Sequence, residues 1–321
     1  AGSRDYVDVA LRDMIDGGKF IGPNLIVSGE ALAATGGHMD RTKDLSQHVN
    51  IDHVSNLCDG PTEARKAARK QIKMGADWIK IAASLSEYVR DKGGLYSPEL
   101  SEETIEEICK IAHWTDRKVG AHCHGGEGVT KAIRAGVDVL EHGRFLSEEQ
   151  MEIMAERGIY LVPTLSPDAR AMENTEDPNQ WLSSAYDAMY DTVQKASELG
   201  VKIGAGSDAS MPHVYHGETA YELEQLVKAG LSELEAITSA TSIGAEIVGL
   251  SEELGTIEKG KKADIIAVRG NPLDDINILE QKDNIRKIIK GGDLIIDRDI
   301  EDKGRDQTPD DRLNLFDIIK S

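Results

Sequence analysis

Four polar residues stand at the ends of four apolar runs, and this placement constrains the fold more than any bulk property of the chain. Lys80 lies in DWIKIAAS, His122 in KVGAHCHG, His142 in VDVLEHGRF and Asp208 in VKIGAGSDAS. Each run reads as a short buried parallel strand. Strand ends on one face of a β/α barrel are where that architecture gathers its chemistry. A lysine, two histidines and an aspartate converging there point to a metal site rather than to a packed core. His122 and His142 are 20 residues apart, one βα repeat, so both can end adjacent strands.

The rest of the chain fits that pattern. Apolar runs at NLIVSG (24–29), DWIKIAAS (77–84), KVGAHCH (118–124), DVLEHG (138–143), YLVPTL (160–165) and VKIGAGSD (201–208) alternate with amphipathic stretches such as PTEARKAARKQIKMG and SEETIEEICKIAHW. Several of those stretches open on Ser, Pro or Gly with acidic residues and close on Gly, as capping and the helix dipole favour. Six strands are visible where a closed barrel of this kind needs eight. The opening DYVDVALRDMIDGG reads as a helix, so two strands are expected upstream. Past Asp208, GETAYELEQLVKAG and SELEAITSATSIGAEIVG read as consecutive helices. LGTIEKGKKADIIAVRGNPL and IRKIIKGGDLIID then read as a small sheet. The expected division is a β/α barrel over 1–253, partial at its N-terminus, a small β domain over 254–298, and a tail or docking helix over 299–321.

A chain of 321 residues can bury a substantial core. Its net charge of -20 argues against nucleic acid and against an anionic membrane surface, since nothing would neutralise phosphates. Three cysteines with no CxxC pair give no disulfide framework, so a reducing cytoplasm is the expected compartment. No signal peptide is expected, and no apolar stretch of this sequence is long enough to span a bilayer.

Imidazole nitrogens suit zinc and its neighbours in the transition series. A divalent metal lowers the pKa of bound water towards ~7, which makes a nucleophile for amides or esters at neutral pH. Asp208 can ligate such a metal and accept the proton of the attacking water. The plainer readings are a core or surface histidine for either imidazole alone, and a snorkelling side chain for Lys80. Further candidates are substrate contacts. His124 shares a side with His122 in an extended strand. Tyr96, in GGLYSP, could meet a carboxylate or carbonyl, and Arg144 could bind a carboxylate bidentately. Cys123, between the two histidines, alternates to the opposite face and reads as packing. Neither glycine pair has the spacing of a phosphate loop, and no Gly-x-Ser-x-Gly elbow occurs.

The strings NLIVSGEALAATGGHMD, GADWIKIAAS, GAHCHGGEGVTKAIRAGVDVLEHGRFL, GAGSDAS and GTIEKGKKADIIAVRGNPL resemble the metal-dependent amidohydrolase superfamily. The closest branch is the one of imidazolonepropionase-like enzymes, Xaa-Pro and related dipeptidases, and ochratoxin-type amidases. The resemblance covers residues from about 4 to 298. It implies a TIM-like (β/α)8 barrel with a small β-sandwich, of which 254–298 supplies the C-terminal part. It implies a carboxylated Lys80 bridging two divalent metals, expected to be zinc, with His122 and His142 as ligands of the second. Asp208 becomes ligand and general base, and His38, in TGGHMD, a substrate contact. Members of the superfamily also carry a His-x-His pair at the end of the first barrel strand. No segment before Lys80 supplies it, since His38, His48 and His53 stand alone. A fragment of a longer protein is therefore expected, rather than a short chain that has lost one metal. The expected activity is hydrolysis of an amide in a dipeptide or N-acyl amino acid. A cyclic amide is the nearest enzymatic alternative, and a catalytically silent subunit is the alternative of another class. Unpaired sheet edges predict a homo-oligomer.

Overall fold

The computed structural model describes residues 2–40, 42, 56–85 and 97–301. Its contacts divide the chain into two compact units, Ala1–Ile153 and Met154–Thr308, and the break falls inside a helix.

The first unit runs α1 (Val7–Asp16), α2 (Pro61–Lys73), β1 (Ile79–Ala82), α3 (Glu102–His113), β2 (Val119–Gly125), α4 (Gly126–Ala135), β3 (Val139–Phe145) and the start of α5 (Glu148–Arg157). Local chemistry sets the helix ends. Pro61 is preorganised for the first turn of α2. The Ser101 hydroxyl accepts the Thr104 N–H at the start of α3, and Gly136 takes φ +90° to close α4. The strands pair in parallel, β1 with β2 and β2 with β3. Ile79, Ile81, Val119, Ala121, Cys123 and Leu140 are fully buried or within 1% of it. By alternation they share the face that α2, α3 and α4 cover. Lys80 lies opposite Gly120, and Ala82 opposite His122, on the other face.

The second unit continues with β4 (Tyr160–Val162), α6 (Ser166–Glu173), α7 (Gln180–Glu198), α8 (Thr219–Lys228), α9 (Glu233–Ala240) and α10 (Ser242–Ile247). The expected helix over 232–249 is thus two helices, broken at Thr241, where φ is -118° and ψ -93°. Leu165, Met189, Val193, Ile203, Leu223 and Leu226 form its core cluster. Three antiparallel strands follow: β5 (Ile265–Val268), β6 (Ile285–Lys290) and β7 (Asp293–Asp297). The β6–β7 hairpin turns on Gly291 and Gly292, at φ +60° and +93°, the two-residue turn that matches strand twist. α11 (Arg298–Glu301) ends the described residues. None of the described helices is long and apolar enough to cross a membrane.

Two expected strands do not form ladders. In 24–29 the backbone groups are taken by side chains and by a turn. Val27 N–H goes to Asp77 Oδ2 at 3.0 Å, Gly29 N–H to Asp8 Oδ2 at 2.9 Å, and the Val27 carbonyl accepts from Asp77 and Trp78. Parallel bridging to the sheet begins only at Leu32, opposite Ile81. Over 201–208 a single bridge, Leu161 to Ile203, remains. A Cβ on Gly204 would stand 2.2 Å from Ile247 Cδ1, and one on Gly206 2.5 Å from Val162 Cγ1. These glycines therefore let side chains pack against bare backbone rather than extend a ladder.

Candidate active site

The C-terminal ends of β2 and β3 bring three imidazoles together. The His122 ring centroid is 4.7 Å from His142 and 4.8 Å from His124, and His124 is 5.2 Å from His142. His38, from the loop after Ala33, stacks on His122 at 4.2 Å and 21°. His122, His124 and Arg144 are buried, as is Lys80. The sequence therefore places its histidines well, including the shared side of His122 and His124. Cys123 packs on the opposite face, fully buried, with burial pushing its thiol up to about 12.

Strand alternation alone does not bring His142 to this cluster. The register pairs His122 with Glu141, and Cys123 with His142. A regular pleat would turn His142 to the cysteine side. Instead His142 adopts φ +70° and Gly143 +64°, and the ladder shifts register between Cys123 and Gly125. A left-handed non-glycine residue costs about 1–3 kcal/mol, and such strain concentrates at functional sites. Here it brings Glu141 and His142, neighbours in sequence, to the same face.

Glu141, which strand alternation turns away from His142, joins the site as well. Its carboxylate is bonded to Lys80 Nζ, the lysine being only 3% exposed. Between them lies Gly120, where an added Cβ would stand 3.1 Å from Glu141 Oε1. The signal in the sequence was a carboxylate inside a buried strand one repeat beyond a strand glycine.

Burial, reinforced by neighbouring cations and histidines, holds the pKa of His122, His124 and His142 well below the ordinary imidazole range. All three are neutral imidazoles, the form that ligates metals. His122 Nε2 and His124 Nδ1 are buried with no hydrogen-bond partner among the described residues. Buried ring nitrogens seldom stay so unless a ligand takes them. His122 and His142 thus fit two positions of a transition-metal site. Among the described residues, however, no three His, Cys, Asp or Glu side chains are grouped to hold a metal.

Asp208 belongs to the second unit, where it is exposed with φ +49°. Within that unit Glu222, on α8, is fully buried and binds the turn after β4. Its carboxylate accepts Leu165 N–H at 2.8 Å, Ser166 N–H at 2.8 Å and the Ser166 hydroxyl at 2.5 Å. Burial outweighs these bonds, and with the charge of Asp208 it raises Glu222 to about 7. Tyr96 lies outside the described residues.

Parallel βα units carrying histidines at their strand ends are the design of a known family, and the chain belongs to it: the amidohydrolase family model matches residues 2–295. Its fold class is accordingly the α/β, TIM-like barrel type. Among individual proteins, it is similar to the ochratoxinase of Aspergillus niger, with 34% identity over 318 residues, 91% of this chain and 65% of that protein. The crystal structure of that ochratoxinase superposes with a TM-score of 0.82 at 32% identity, over 98% of this chain and 75% of the other. A Xaa-Pro dipeptidase with methionine bound in its active site gives 0.83 at 35% identity, over 92% and 74%. An imidazolonepropionase of Thermoplasma volcanium matches over 115 residues at 30% identity, 36% of this chain and 28% of that protein. The chain thus spans slightly less than two thirds of the length of the ochratoxinase it matches.

Proposed function

We propose that the protein is a metal-dependent hydrolase of carbon–nitrogen bonds whose substrate is a dipeptide or an N-acyl amino acid. The observation that carries this reading is the cluster of neutral imidazoles His122, His124 and His142, the first two buried, in a chain of the amidohydrolase family. His122 and His142 would hold a divalent metal, zinc being expected for imidazole donors. Lys80, carboxylated, and Asp208 would contribute as the family resemblance implies. When bound, such a metal supplies an acidified water and a polarised carbonyl.

The remaining work falls to the chain's own side chains. Burial keeps His122 and His142 deprotonated without the help of high pH. Asp208 takes the proton released by water and returns one to the leaving nitrogen. Arg144 offers a buried guanidinium to a substrate carboxylate. His38, His124 and Tyr96 orient the acyl part. Similarity to a dipeptidase that binds methionine supports a substrate with an amino-acid moiety. Carboxylation of Lys80 requires it to leave Glu141, because two adjacent anions repel. A homo-oligomer in a reducing compartment is part of the same reading.

The test is metal content by plasma mass spectrometry, followed by a panel of Xaa-Pro dipeptides and N-acyl amino acids before and after chelation. Bound divalent metal, with hydrolysis lost to the chelator and restored by zinc, is expected. Hydrolysis that persists in metal-free protein would overturn the proposal. Ring opening of a cyclic amide, with linear amides untouched, would instead select the imidazolonepropionase-like reading that the match over 115 residues favours.

A further inference from the structure

The loop that carries His38 is held almost entirely by carboxylates. Glu99 accepts Ala34 N–H at 3.1 Å and His38 N–H at 2.9 Å, one on each oxygen. Asp59 accepts Thr35 N–H at 2.8 Å and the Thr35 hydroxyl at 2.7 Å, and Asp40 accepts Gly36 N–H at 2.7 Å. Gly37 N–H closes the turn on the Ala34 carbonyl at 2.9 Å. The chain therefore wraps around the Glu99 carboxylate, and at Gly37 it comes so close that a Cβ would stand 2.0 Å from Glu99 Oε1. Gly37 has no positive φ, so the glycine answers a need for space and not for an unusual backbone.

Glu99 is itself fixed to the sheet. Its N–H donates to the Ala83 carbonyl at 3.0 Å, and Ser84 bridges Pro98 just beyond β1. The same Ser84 hydroxyl accepts His124 N–H at 3.2 Å. A continuous set of bonds thus runs from the end of β1 through Glu99 to the amide of His38, whose ring lies flat on His122. Carboxylate-to-amide bonds are stronger than neutral ones and fix direction. Together with Asp59 and Asp40, Glu99 sets the loop in one orientation against the imidazole cluster.

We propose that Glu99 is a positioning residue, holding His38 in the orientation in which its imidazole meets the substrate. This rests on the hydrolase reading above. Glu99 touches no substrate and acts through His38. If so, Glu99→Gln and His38→Ala each raise KM roughly tenfold, about 1.4 kcal/mol, with kcat changed less than threefold and metal content unchanged. The double variant is then no worse than His38→Ala alone.

The test combines that double-mutant cycle with NMR of the unmodified protein and of Glu99→Gln. In the unmodified protein the Ala34 and His38 amides should be protected from hydrogen exchange together. The ring protons of His38, shifted by stacking on His122, should move towards solvent values in the variant. Additive losses in the cycle, unprotected amides, or His38 signals unmoved by Glu99→Gln would overturn the proposal. The exchange measurement needs no variant, so it decides even if Glu99→Gln fails to fold. An inactive but metal-loaded wild type would defeat the hydrolase reading while leaving the NMR outcome to judge Glu99.

Discussion

At the scale of single residues, Lys80 is paired with a carboxylate inside the sheet. Its ammonium is buried and bonded to Glu141 across the space left by Gly120. Removing one member of a buried pair leaves an uncompensated charge, at a cost of about 3–5 kcal/mol. In metal-free protein, where Lys80 is an uncarboxylated ammonium, Glu141→Gln should therefore lower unfolding stability by about 3 kcal/mol, measured by urea denaturation. Adding Lys80→Met should recover most of that loss, and a double variant as unstable as the single one would contradict the account. Lys80, His122 and His142 were legible in the sequence because polar residues closing apolar runs are conspicuous. Glu141 was not, because alternation along DVLEHG predicts that neighbours 141 and 142 face opposite ways. Only the left-handed backbone at His142 puts both on one face, and no sequence period encodes such a turn.

At the scale of elements, Glu222 ties α8 to the turn entering α6. With its pKa raised from 4.5 to about 7, the folded protein keeps this proton after the unfolded chain has released it. Its contribution to stability is full below pH about 4.5 and is lost as the pH rises to about 7, a change of about 3 kcal/mol. Thermal melts across that window should show a falling slope that Glu222→Gln flattens, and parallel curves for the two proteins would refute it. The elements themselves were legible where periodicity was strong. β1, β2, β3 and most helices fall within one to three residues of the expected runs. NLIVSG and VKIGAGSD misled because composition shows that a segment is apolar but not where its amides bond. The former spends them on Asp8 and Asp77. The helices over 166–198 are less conspicuous in sequence, although Ala185, Met189, Val193 and Ala196 mark one buried face of α7.

At the scale of the molecule, the imidazole cluster gives a pH response of the opposite sense. His122, His124 and His142 titrate below their unfolded value of 6.5, so the unfolded state takes up protons first as acid is added. The stability they allow is present above pH about 6.5 and is lost as the pH falls below it, by about 1.4 kcal/mol for each unit of separation per histidine. His124→Asn should lessen the slope below that point by one histidine's share, and an unchanged slope would contradict burial as the cause. The family, the parallel architecture and the histidine positions were all open to reading from the chain alone. The ion pair at Lys80 and the carboxylate cradle of His38 come from residues distant in sequence that only folding brings together.

Cys58, Cys109 and Cys123 are buried in the first unit, each thiol pushed up to about 12, mainly by burial. Since the thiolate is the reacting form, native protein should resist alkylation almost completely, and each cysteine becomes a clock for the opening of its own surroundings. Cys123 lies on β2 between His122 and His124 in sequence but on the opposite face of the sheet, Cys109 within α3 and Cys58 near the His38 loop. Labelling with a maleimide and mapping by peptide mass should therefore rank how often three neighbourhoods breathe. Cys123 should mark the slowest of them, and any ligand that closes the histidine cluster should slow it further.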